Sequence, residues 1–224
     1  MKTNEELRQD VMDEIRWDPQ LRDVATEIGV AAKDGVVTLS GSVHTYWKKR
    51  AAEKAAQRVS GVKVVASDVE VRVGPMQKKT DTEIAEAVKN SLRWNSAVNE
   101  DQIEVKVDKG WVYLDGLVDF QYEKVAAQRA VEDLLSVMGV TNNIAIKSEA
   151  VDTKDIQRKI AAAFHRSATV DSSSIKIEAA GHKVKLSGKV RSWAELKEAE
   201  NIALSAPGVT SIENRIKIDV EVYA

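Results

Sequence analysis

The sequence predicts an α+β protein of three tandem αββαβ modules, each a three-stranded sheet with two helices packed on one face. Three observations carry this. Leu39-Ser40-Gly41, Leu114-Asp115-Gly116 and Leu186-Ser187-Gly188 recur 75 and 72 residues apart, the self-similarity expected of a repeated unit. Before each marker glycine, apolar residues alternate as in half-buried strands. After it, small apolar residues recur at helical spacing. The register from first strand to last is gapless in all three copies, which places the modules at residues 1–74, 78–148 and 151–224.

The first helix of each module is read from apolar residues at i, i+4 and i+8: Leu7, Val11 and Ile15; Ile84, Val88 and Leu92; Ile156, Ile160 and Phe164. Thr3 with Glu6, Thr80 with Glu83, and Asp152 with Asp155 supply start signals of the capping-box kind. The first strands begin at Ile28, Ile103 and Ile175, and the second carry Val37 and Leu39, Val112 and Leu114, Val184 and Leu186. Between them, Asp34-Gly35 and Lys109-Gly110 suit a type I′ hairpin turn, and Gly181-His182 a type II′ turn.

The second helices show Ala52, Ala56 and Val59; Ala127, Val131 and Leu134; Ala199, Ala203 and Ala206. Small residues at these places let a helix lie close to a sheet. Gly61-Val62 and Gly208-Val209 end the helix in copies one and three, and their counterpart in copy two is Ser136-Val137. The third strands close each unit with Val69 and Val71, Ile144 and Ile146, Ile216 and Ile218. The triplets Ile28/Val37/Val69, Ile103/Val112/Ile144 and Ile175/Val184/Ile216 are predicted to lie beneath the helices. Gly41, Gly116 and Gly188 recur whatever surrounds them, which predicts a backbone role.

Composition narrows the function. Hydrophobic residues make up 43% and charged residues 30% of the chain, the balance of a folded protein. The 33 Lys and Arg nearly cancel the 35 Asp and Glu, so no global field favours a nucleic-acid partner. There are no cysteines, which removes disulfides, thiolate metal sites and cysteine nucleophiles. His44, His165 and His182 fall at different places of the repeat, without metal-ligand spacing. No carboxylate pair stands out as acid and base, and the glycines bracket strands instead of opening a helix as a phosphate cradle would. No catalytic residue, metal site or cofactor is therefore assigned. The start Met1-Lys2-Thr3-Asn4-Glu5-Glu6-Leu7 lacks the apolar core of a secretory signal. That predicts a cytoplasmic protein if Met1 is the natural start, and a periplasmic one if a leader has been removed.

The segments Gly35-Val36-Val37-Thr38-Leu39-Ser40-Gly41, Gly110-Trp111-Val112-Tyr113-Leu114-Asp115-Gly116 and Ala206-Pro207-Gly208-Val209, set in this order of elements, resemble the BON-domain family. The resemblance covers nearly the whole chain, three times over. It implies a bacterial-envelope or transport-associated protein of the osmotic-stress kind, one that binds phospholipid or maintains membranes and has no enzyme activity.

The candidate contact residues are mainly aromatic, with five tryptophans against two phenylalanines. Tyr46, Trp47 and Trp193 stand where the second helix begins, and either staple that loop to the core or contact a ligand. Lys48, Lys49 and Arg50 follow directly and form the best local candidate for an anionic phospholipid surface. Trp94, like Trp17, stands two residues beyond the last apolar position of a first helix. Trp111 and Tyr113 alternate with Val112 and Leu114 and so point to the sheet face without helices. There they are expected to meet a neighbouring module, or else a ligand or partner. The competing functions are membrane binding, assembly into homo-oligomers or with a protein partner, and carriage of a small ligand between modules.

Overall fold

The computed structural model describes residues 2–147 and 153–219. Module one comprises α1 (Asn4–Trp17), β1 (Ile28–Lys33), β2 (Val36–Val43), α2 (Tyr46–Arg58) and β3 (Val64–Val71). Module two comprises α3 (Asp81–Arg93), β4 (Ile103–Asp108), β5 (Trp111–Val118), α4 (Gln121–Glu132) and a third strand in two pieces, β6 (Gly139–Asn142) and β7 (Ala145–Ile146). Module three comprises α5 (Thr153–Arg166), β8 (Ile175–Ala180), β9 (Lys183–Val190), α6 (Trp193–Leu204) and β10 (Ser211–Ile218). The α+β class and the three αββαβ units are as the repeat predicts.

In each sheet the hairpin is antiparallel and the central strand also pairs in parallel with the third strand. Parallel neighbours require a crossover, and the second helix provides it. The two type I′ turns show positive φ at Asp34, Gly35, Lys109 and Gly110, whereas in the third hairpin only Gly181 is positive.

Local chemistry sets the helix ends. Thr3 and Thr80 each accept from the backbone of a glutamate three residues on, and that glutamate reaches back to the cap. Asp152 lies outside the described residues. Leu7, Val11, Ile15 and their counterparts are buried. Ala51, Ala52, Ala55 and Ala56 form the buried stripe of α2, so that helix sits low on its sheet.

The marker glycines answer a backbone requirement. A Cβ at Gly41 would lie 1.9 Å from the carbonyl oxygen of Glu27, at Gly116 2.1 Å from that of Gln102, and at Gly188 2.0 Å from that of Ser174. Their φ angles, +110°, +151° and +133°, disfavour other residues as well.

Of the predicted core triplets, eight members are buried and one differs: Ile216 is half-buried. It packs at the rim of the third core on the edge strand β10, so the register holds while the cover is thinner. Asn143 and Ile144 separate β6 from β7. Beside them the Asn142 carboxamide accepts from the Ile144 N–H at 3.1 Å and donates to the Lys124 carbonyl at 2.9 Å; Asn214 accepts likewise from the Ile216 N–H within the unbroken β10.

Ser136, with φ +67°, takes the left-handed position held by Gly61 and Gly208 in the other copies. Its hydroxyl donates to the Gln77 carbonyl at 2.7 Å and accepts from the Lys79 N–H at 2.9 Å. The side chain thus ties the first linker to module two, a role glycine lacks.

Candidate functional site

The second helix begins with Tyr46, Gln121 and Trp193, which hold the same place in the three copies. In modules two and three the entry is fixed by a buried carboxylate. Glu123 accepts from the N–H groups of Asp119 and Phe120, and Glu195 from those of Asp171 and Arg191. Both acids satisfy backbone donors just before their helix, and Glu195 also ties in the loop ahead of β8 through Asp171. Module one carries Lys48 there instead, paired with Asp23; this bond holds the Asp23 carboxyl below its usual range.

The basic cluster is consequently engaged within the chain. Lys48 is bound to Asp23 and stands 5.7 Å from the centre of the Trp47 ring. Arg50 pairs with Glu53 at 2.6 Å and with Glu132 of module two at 3.6 Å. Burial works against the Arg50 charge, but Glu53, Tyr46 and Glu132 outweigh it, so its pKa is raised. Lys49 is half-buried. The cluster therefore presents less positive charge to an anionic surface than its sequence predicts.

The aromatic helix starts join the modules. Tyr46 packs on both the first and second cores, while Met138 of module two packs on the first. Burial pushes the Tyr46 phenol pKa up, with Arg50 opposing. Trp193 packs on both the first and third cores, and α6 lies beside α2. Trp47 stays on its own core.

Between modules two and three, the entry to α4 and the end of the third strand (Ile146 and Lys147) face the turn Leu204–Val209 across one cavity. The corresponding contacts recur at the other junctions. Asp219 of module three meets Gly61 and Lys63 of module one around a shared hollow. The segment after β3 meets Ser136 of module two. Each module thus offers its helix entry and third-strand end to the helix-to-strand turn of the next, in the order one to two, two to three, three to one. Head-to-tail contacts of this kind close into a ring when the rotation allows, and here three copies close it.

Trp111 and Tyr113 do not lie between modules, contrary to the expectation from the strand pattern. Trp111 is 42% exposed, and its Nε1–H donates to the Thr141 hydroxyl at 2.8 Å. Its ring covers Gly139, where a Cβ would come within 2.5 Å of the indole. Lys106 stands 5.7 Å from the Tyr113 ring centre. The two aromatics rest against neighbours on their own sheet, Gly139, Thr141 and Lys106. Replacing both aromatics by threonine (Trp111→Thr with Tyr113→Thr) should leave the radius of gyration in small-angle scattering unchanged; an increase would return the pair to an interface.

Two further aromatic features are exposed, one at the first-helix ends and one at the junction of modules two and three. Trp17 and Trp94, at equivalent first-helix ends, are 82% and 83% exposed. Trp17 was legible in the sequence through its identical place to Trp94, yet only the pairing of the two by exposure singles it out. Phe120 and Tyr122 stack at 5.6 Å with an interplanar angle of 14°, beside the cavity between modules two and three.

His182 contacts the Gly208 carbonyl at 2.8 Å and His165 the Ser172 hydroxyl at 3.0 Å. Among the described residues, no group of three or more His, Asp or Glu side chains is placed to hold a metal ion. No helix among them is long and apolar enough to cross a membrane.

A family model described as BON domain matches residues 3–73, 80–148 and 152–220. Osmotically-inducible protein Y of Escherichia coli (strain K12) is 28% identical over 148 residues, 61% of this chain and 72% of that protein. A 21 kDa hemolysin of Actinobacillus pleuropneumoniae is 28% identical over 145 residues, 64% of this chain and 72% of its own. Among solved structures, CdsD, a structural protein of the type III secretion system of Chlamydia trachomatis, aligns over 94% of this chain and 91% of its own at 12% identity, with a TM-score of 0.28.

Proposed function

Because the chain belongs to the BON-domain family, we propose that it is a non-enzymatic protein of envelope stress that docks on phospholipid surfaces. The relative named for osmotic induction supports the stress setting. The observation that carries the docking is the pair Trp17 and Trp94, exposed at the same place in two modules. Equivalent points of a rotationally symmetric ring of three lie at one level along its axis, an arrangement that would set both indoles on one side. Arg16 and Arg93 precede them, and His165-Arg166 ends the corresponding helix of module three. Tryptophan seats its amphipathic ring at the headgroup level, and arginine can leave its stem in the apolar layer with its charge outside.

With a net charge of −2, attraction to an anionic bilayer has to be local. Burying two indoles would contribute on the order of 3–5 kcal/mol. Co-sedimentation with phosphatidylglycerol and phosphatidylethanolamine vesicles at low salt tests this. The native chain should pellet with lipid, and Trp17→Ala with Trp94→Ala should cut the bound fraction at least about tenfold, within that energy. A native chain that stays in the supernatant, or a double variant that binds equally well, would sink the proposal.

A further inference from the structure

The ring is pseudo-symmetric in its contacts but unequal in how they are filled. At the first helix position of α2 and α6 the chain places Tyr46 and Trp193, each reaching the core of the next module. At the same position of α4 it places Gln121. The receiving side is reduced as well, since Thr210 stands where Met138 does. A cavity of about 480 Å³ remains there, within the size range of small-molecule sites.

Its walls are chemically specific. Phe120 and Tyr122 form a stacked aromatic pair on the module-two side; Leu204, Pro207 and Val209 give an apolar wall on the module-three side. Polar groups share the lining: Gln121, Ser205, and the Asp119–Lys147 ion pair at 2.8 Å. That pair is neutral as a unit, so neither a strong anion nor a strong cation is favoured.

We propose that this junction is a binding site for a small, uncharged planar aromatic molecule of about indole size. The chain itself supplies the template: a phenol and an indole occupy the equivalent place in the other two junctions, and the third takes an external counterpart. Aromatic partners in offset or edge-to-face contact with Phe120 and Tyr122 would add to area burial, and the Gln121 carboxamide can accept a ring N–H or O–H. This is independent of bilayer docking, which uses the first-helix ends.

The test uses the full chain and 5-fluoroindole, observed by ¹⁹F nuclear magnetic resonance, with unlabelled indole as competitor. The native protein should shift or broaden the probe signal with a Kd on the order of 1 mM or tighter, the range open to so few atoms, and indole should reverse the effect. Gln121→Trp, which restores the plug seen in the other junctions, should weaken binding at least tenfold while leaving circular dichroism unchanged. Gln121→Ala should keep binding within about threefold, which separates a filled cavity from a misfolded one. No response from the native chain overturns the inference. So does a Gln121→Trp variant that binds like the native protein.

Discussion

A Gly41→Val chain is expected to lose the fold of its first module, with a Tm drop on the order of 10–20 °C in circular-dichroism melting. The added Cβ would sit 1.9 Å from the Glu27 carbonyl oxygen, a main-chain atom at the entry to β1 that cannot turn aside as a side chain can. The residue would also be held at φ +110°, a region that costs a β-branched side chain dearly. Steric and conformational terms act together, so the loss should reach about 3–5 kcal/mol, the upper end for single substitutions. Relief requires β1 to move away from β2, which would unpair Ile28 from position 41. A melting curve equal to that of the native chain would refute this account of the marker glycines.

The second large effect is expected at the junctions. Trp193→Ala combined with Tyr46→Ala should open the ring while each module stays folded. Both side chains are half-buried and bridge two cores, so each truncation should cost about 2–3 kcal/mol through lost burial. The Trp193 Nε1 is buried without a hydrogen-bond partner among the described residues. The indole therefore holds that junction by apolar contact with the two cores. Small-angle scattering should show a larger radius of gyration, with far-ultraviolet circular dichroism little changed. An unaltered radius would mean that the ring does not depend on the aromatic helix starts.

The modules were legible because the repeat supplies its own register. Three glycines fixed the alignment, and alternation told which strand positions face inward, so Val37, Val112 and Val184 could be placed in the core without coordinates. The role of Ser136 as the counterpart of two glycines followed from the same spacing. What the spacing cannot encode is the direction in which one module meets the next. Trp111 and Tyr113 were correctly assigned to the open sheet face, but an exposed face is not an interface, and Gly139 and Thr141 already accommodate the indole. Arg50 likewise reads as a surface cation until Glu132, distant in sequence, is brought within 3.6 Å. Periodicity reports burial within a module; contacts between modules depend on single side chains whose partners lie far along the chain.

Head-to-tail closure has a consequence for copy number. Every module carries one offering surface and one receiving surface, and a linear series of such units always ends with one of each unused. Two modules would leave an apolar helix start and an uncapped turn at opposite ends, a pair complementary to each other and therefore able to recruit a second chain. Three modules in one chain bring each offering surface to a receiving surface of the same chain among the described residues, with the contact from two to three left partly open. The third copy thus turns a contact that would otherwise propagate into one that closes on itself, and concentrates what is left unfilled at a single junction.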